Sequence, residues 1–143
     1  MGWDEVKGYR DLVVWQRAMD LVPAVYAVAR ALPKEETYAL GDQLRRAVVS
    51  IPANIAEGQA RQHRKEFLQY LAIAKGSLAE LTTLLLVVER IGYMSAETLA
   101  PARIALSRVA SPLHGLITTL RHRTPEPQNP KTQKTQKTHK NLE

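Results

Sequence analysis

The sequence predicts an all-α protein, an antiparallel up-down-up-down four-helix bundle. Three observations predict it. Apolar residues recur at alternating spacings of 3 and 4 in three long segments, which is the seam of helices packed nearly parallel or antiparallel. No run alternates apolar and polar residues with period two, so no strand is expected. Capping and breaking residues divide the chain into four segments with links near 33–37, 58–63 and 92–95, and short links favour antiparallel neighbours.

The first helix carries Leu12, Trp15, Met19, Val22, Tyr26 and Ala29 at spacings of 3, 4, 3, 4 and 3, so these six form its expected core face. Asp11 stands where a carboxylate caps a helix start. Leu32-Pro33 ends the helix, because a residue before proline resists the α region. The second helix is less regular, with Leu40, Leu44, Ala47 or Val48, Ile51 and Ile55. Thr37 is its expected cap, and Gly58 offers a left-handed stop at or near its end. The third seam runs Phe67, Leu71, Ala74, Leu78, Leu81, Leu85 and Val88, and Gly92 follows it at a left-handed C-terminal position. Ser95 caps the fourth helix, with Glu97 near its positive end. The fourth seam is Leu99, Ala102, Leu106, Val109, Leu113, Leu116 and Leu120. Pro23, Pro52 and Pro112 fall inside helices, where each removes a backbone bond at about 3 kcal/mol. Bends are expected there, with Pro52 the strongest candidate to kink or interrupt the second helix. Asn54 and Glu57 are placed to hydrogen-bond freed or terminal backbone groups near it. Arg45 and Arg46 point about 100° apart, so at most one faces an inner groove. There it needs an acid such as Glu80 or Glu57.

A chain of 143 residues buries a core without staples. Residues 1–123 form the expected bundle domain. Residues 124–143 hold three prolines, a K-T-Q period and Leu142 as the only large apolar residue, so a disordered basic tail is expected. There is no Cys, hence no disulfide framework and no thiolate zinc site. The start MGWDEVKGYR has no apolar h-region, and no stretch of 18 uncharged apolar residues exists. A cytoplasmic location with no membrane partner is the expectation.

The usual signatures of chemistry are missing. The chain has neither G-x-x-x-x-G-K-[ST] nor G-x-G-x-x-G to cradle phosphates, and no H-E-x-x-H. His63, His114, His122 and His139 all lack a Glu three residues earlier, so the inward Glu-x-x-His pairs of di-iron bundles are absent. Ser50, Ser77, Ser107 and Ser111 lie in helices without an adjacent base. The expectation is therefore no enzyme, no metal and no cofactor.

Two surplus features remain. Leu84-Leu85-Leu86-Val87-Val88 is apolar on five consecutive helical positions, which covers every face. Part of that run is expected in a subunit interface. The second feature is charge. The chain is +6 overall, and residues 1–123 carry 16 basic against 12 acidic residues. In the expected topology one end gathers Lys7 and Arg10, then Arg61, His63, Arg64 and Lys65, then Arg121, His122 and Arg123. At the other end Arg30, Lys34 and Arg90 balance Glu35, Glu36 and Glu97. Arg61, Arg64, Lys65, Arg121 and Arg123 are the candidate nucleic-acid contacts. Arg103 and Arg108 on the body of the fourth helix stand behind them. The mechanism would be phosphate neutralisation. Aromatic residues are few, and Trp15 and Phe67 fall on core seams, which argues against a base-stacking platform.

Several strings carry a family resemblance: Tyr9-Arg10-Asp11-Leu12 with Trp15-Gln16, Leu32-Pro33-Lys34-Glu35-Glu36, Gln43-Leu44-Arg45-Arg46-Ala47, Ser50-Ile51-Pro52-Ala53-Asn54-Ile55-Ala56-Glu57-Gly58, Lys65-Glu66-Phe67, Gly76-Ser77-Leu78-Ala79-Glu80 and Gly92-Tyr93. Together they resemble the four-helix-bundle family of 23S rRNA intervening-sequence proteins, also called the S23 ribosomal protein family. That family is similar in fold to the accessory variability proteins of diversity-generating retroelements. The resemblance covers about residues 9–122. It implies a homopentamer without catalytic activity. Members are encoded in inserts of bacterial ribosomal RNA genes and elsewhere. The retroelement relatives form basic pentameric barrels that bind a reverse transcriptase and nucleic acid. RNA or DNA is thus the first expected partner besides the chain itself. The alternative is a protein-interaction scaffold, for example for a reverse transcriptase, with no direct nucleic-acid role.

Overall fold

The apolar seams all become helices. A computed structural model of the chain describes residues 8–122. A 3-10 turn at Tyr9–Asp11 precedes α1 (Val13–Ala31), and a second at Lys34–Glu36 lies in the link to α2 (Leu40–Ala60). Then come α3 (Arg64–Ile91) and α4 (Ala96–Arg121), with no strand among the described residues. Residues 1–7, Arg123 and the segment 124–143 lie outside them, and with them the expected tail.

Each helix packs on its neighbours in chain order, α1 on α2, α2 on α3, α3 on α4, and α4 back on α1. Cross-helix pairs give the directions. Ser50 meets Ser77 while Glu57 meets Tyr70, so numbers rise along α2 as they fall along α3. Arg103 meets Glu89, whereas Arg121 lies beside Leu68 and Lys75, so α4 likewise runs against α3. Tyr93 after α3 donates to Glu36 before α2 at 3.0 Å, which puts those two links at one end.

The third seam is buried along its full length, from Phe67 to Val88. α2 buries Leu44, Ala47, Val48, Ile51 and Ile55. α4 buries Leu99, Ala102, Val109, Leu113 and Leu120, with Ile117 inside in place of the half-buried Leu116. By length and composition α3 could cross a bilayer, a test that a bundle's core helix also passes. The first seam needs correction. α1 buries Val14, Ala18, Leu21, Val25 and Val28, a stripe rotated by about 100° from the expected one, and of the expected face Ala29 is buried as well. Trp15, Val22 and Tyr26 sit half-buried at its edge, and Met19 is 44% exposed.

The punctuation also departs in places. Leu12, not Asp11, occupies the cap position of α1, without a side-chain bond, and Asp11 belongs to the preceding 3-10 turn. Thr37 closes the second 3-10 turn. The start of α2 is served instead by the Glu36 carboxylate, which accepts from the Leu40 N–H at 3.4 Å. α2 runs unbroken through Pro52 to Ala60, and α4 holds Pro101 as well as Pro112. Gly58 is no stop. A Cβ there would lie 2.6 Å from Tyr70 Cβ, so this glycine lets α3 approach α2, and the left-handed residue is Gln62 at φ 60°. Gly92 does take the left-handed position at φ 91°, and Ser95 Oγ accepts from the Thr98 N–H at 3.2 Å. Of Leu84–Val88, three residues enter the core, Val87 is half-buried and Leu86 stays 52% exposed.

Candidate nucleic-acid interface

The two arginine neighbours of α2 separate as their angle requires. Arg45 turns back to Asp42 at 2.7 Å and to the Thr37 carbonyl at 2.6 Å. Arg46 points to the groove that also holds Glu80. Further along, Arg61 donates to Glu57 at 3.3 Å and to the Tyr70 hydroxyl at 2.9 Å, and its guanidinium lies 5.4 Å from the Tyr70 ring centre. Tyr70 in turn donates to Glu57. The hydrogen bond that Arg61 donates to the Glu57 carboxylate, with Tyr70 beside it, holds the Arg61 pKa above its ordinary value. Arg61 is therefore already neutralised in part.

Arg64 and Lys65 open α3, both exposed. Cations on the positive end of a helix dipole oppose its stability, and Glu66 in the same turn offsets them. Arg121 ends α4 and lines a cavity of about 340 Å³ between α3 and α4. Lys75 lines it too, along with Leu68 one turn beyond Arg64. The structure thus brings the end of α4 beside the start of α3, as the topology requires. Arg103 behaves otherwise. It donates to Glu89 at 2.8 Å and clips α4 to α3, and that hydrogen bond holds the Glu89 pKa below its ordinary value. Arg123 lies outside the described residues.

Arg108 opens a second basic place. It lines a cavity of about 350 Å³ between α1 and α4 with Arg17, Gln16 and Asp20. Arg17 reaches across to donate to the Arg108 carbonyl at 3.2 Å. No ion pair holds Arg17, Lys65, Lys75, Arg108 or Arg121 among the described residues. The sequence reasoning missed Arg17 and Lys75 because it grouped charge by helix ends. A usable signal was available in α4, which has no carboxylate after Glu97. On its outward side Arg108, Ser111, Gly115, Thr118 and His122 follow at spacings of 3, 4, 3 and 4, all exposed.

No group of three or more His, Asp and Glu side chains able to hold a metal occurs among the described residues. What the surface presents is cations and hydroxyls on a helical bundle. The chain belongs to the family of 23S rRNA-intervening sequence proteins, whose model matches residues 10–115. A protein of unknown function from the S23 ribosomal protein family of Bacteroides thetaiotaomicron VPI-5482 has a similar fold, with a TM-score of 0.69 at 24% identity over 75% of this chain and 96% of that one. No curated protein matches the chain.

Proposed function

We propose that this chain is a non-enzymatic, homo-oligomeric bundle that binds nucleic acid through phosphate contacts along α4 and the two grooves beside it. One observation carries the reading: α4 has no acid after Glu97, and Arg17, Lys75, Arg108 and Arg121 make no ion pair among the described residues. Phosphate contacts come from such cations and from small hydroxyl residues. Ser111 and Thr118 supply the hydroxyls, and Gly115, with open space where a Cβ would stand, lets a backbone come close. The stripe from Arg108 to His122 is about 21 Å long at 1.5 Å per residue, enough for several phosphates. Arg121, Lys65 and Arg64 extend it to the foot of α3. Arg61 and Arg103, held by Glu57 and Glu89, contribute less. Oligomerisation through the exposed Leu86 would multiply the surface, and a pentamer follows from the family resemblance alone.

Retention on RNA and on duplex DNA, measured against salt, tests this. Affinity should fall by about 0.9 log unit per contact for each tenfold rise in salt on duplex DNA. The Arg17→Ala, Lys75→Ala, Arg108→Ala triple variant should weaken binding to all sequences alike and flatten that slope. Lys34→Ala with Arg90→Ala should leave it unchanged. Absence of salt-sensitive retention at low ionic strength overturns the reading in favour of a protein scaffold, such as one serving a reverse transcriptase. Sedimentation tests assembly. A 16.0 kDa species at micromolar concentration refutes the oligomer, and Leu86→Glu should dissociate it without loss of helix signal.

A further inference from the structure

A polar groove opens between α2 and α3. It has a volume of about 250 Å³ and is lined by Gln43, Arg46, Ala47, Ser50, Ser77 and Glu80. Its floor is a hydroxyl pair, Ser50 Oγ and Ser77 Oγ at 2.8 Å. Asn54 holds that pair in place by donating to the Ser50 carbonyl at 2.7 Å and to Ser50 Oγ at 2.9 Å.

The proton count of this floor is incomplete. Two hydroxyls bring two protons. One lies between the two oxygens. Neither serine donates to anything else among the described residues, so the second proton has no acceptor there. Ser77 is only 9% exposed, and what remains of its surface faces the groove. The groove is open to water and Ser50 is half-buried, so a ligand acceptor would take the place of solvent on that hydroxyl. Arg46 lines the same groove, and its guanidinium makes no ion pair among the described residues. Gln43 adds an amide. All of these donors line the one groove. Glu80 on the opposite wall makes no ion pair among the described residues either, and it would repel a second negative charge. A ligand positive at its far end satisfies both walls, and the small volume limits its size.

We propose that this groove binds a small zwitterionic α-amino acid. Its carboxylate would sit on Arg46, Gln43 and the spare serine hydroxyl, and its ammonium on Glu80. This inference is independent of the nucleic-acid reading.

The test is an amide chemical-shift titration of the full chain with glycine, compared with acetate and methylammonium at matched ionic strength. Glycine should give saturable shifts confined to residues 43–54 and 77–80. Each half-ligand should bind at least about tenfold more weakly, the scale of one lost charge-assisted bond. Arg46→Gln should lower glycine affinity by a similar factor, and Glu80→Gln should erase the advantage of glycine over acetate. Both residues are exposed, so the helix signal should be unchanged. No shift at tens of millimolar glycine, or an equal response in Arg46→Gln, overturns the proposal. So does dissociation of an oligomer by both variants, which makes the groove a subunit contact. RNA retention unaltered in both variants keeps this outcome separate from that of the α4 surface.

Discussion

Replacing Gly58 by Ala perturbs the closest approach of α2 and α3. The added Cβ would meet Tyr70 Cβ at 2.6 Å and both Tyr70 Cγ and Phe67 Cδ1 at 3.3 Å. Tyr70 Cβ is bonded to the main chain of α3, so no side-chain rotation removes the overlap, and the α3 backbone must retreat. Overpacking of this kind costs about 1–3 kcal/mol, while Ala in place of Gly in a helix returns about 0.8–1.0 kcal/mol. A required backbone shift places the overpacking in its upper half, so a net loss of about 1–2 kcal/mol follows. Gly76→Ala is the control, because nothing lies within 4 Å of the new methyl. It keeps only the propensity gain and should stabilise by about 1 kcal/mol. Urea midpoints at one fixed protein concentration read both, since assembly would shift them otherwise. A Gly58→Ala protein as stable as the parent refutes the close α2–α3 packing, and with it the geometry that ties Arg61 to Tyr70.

Two further predictions concern capping and pH. Ser95→Ala removes the oxygen that accepts from the Thr98 N–H and should cost about 1 kcal/mol in the same denaturation assay. The Glu89 pKa is lowered chiefly by the hydrogen bond from Arg103, so its stabilisation is present above the unfolded carboxylate pKa. It disappears as pH falls through the lowered value, and Arg103→Ala should flatten that acid limb of the stability profile. Tyr93 is raised by its bond to Glu36, by burial and by the Glu36 and Glu35 charges, so its contribution is complete below the unfolded phenol pKa. That contribution is lost as pH rises through the folded value, and Tyr93→Phe should remove the alkaline step. An unchanged pH profile in either variant would show that the pair in question does not form in solution.

Much of the bundle was legible because period and burial coincide. Along α3 the seven seam residues have no apolar rival stripe of similar strength, and all seven are buried. α1 carries two such stripes about 100° apart. Gln16, Arg17, Asp20 and Arg30 lie away from both, so charge did not choose between them. Side-chain size did. The inner stripe has Ala18 and three valines, which let neighbouring helices close, while the larger Trp15 and Tyr26 sit half-buried at the edge. Gly58 misled for a related reason. Glycine marks either a left-handed turn or a close approach, and only the position of Tyr70 on another helix distinguishes the two. For the candidate interface, residue type exposed the cations but not their carboxylate partners. Glu57 lies four residues before Arg61 on one helix, a spacing that a sequence shows. Glu89 meets Arg103 only across the α3–α4 packing. Arg17 and Arg108 are 91 positions apart and meet only when the first and last helices close.

That closure bears on the order of folding. Three of the four helix interfaces join consecutive helices, with loops short enough that little chain entropy is lost in forming them. α2 and α3, linked by Arg61, Gln62 and His63, form the most local hairpin of the set. The α1–α4 interface alone must bring together segments from opposite ends of the described chain. It should therefore form last and open first, and amide hydrogen exchange should be slower in α2 and α3 than along the facing sides of α1 and α4. A polyanion spanning Arg17 and Arg108 would then act as a clasp, slowing the first step of unfolding while leaving the early hairpin untouched.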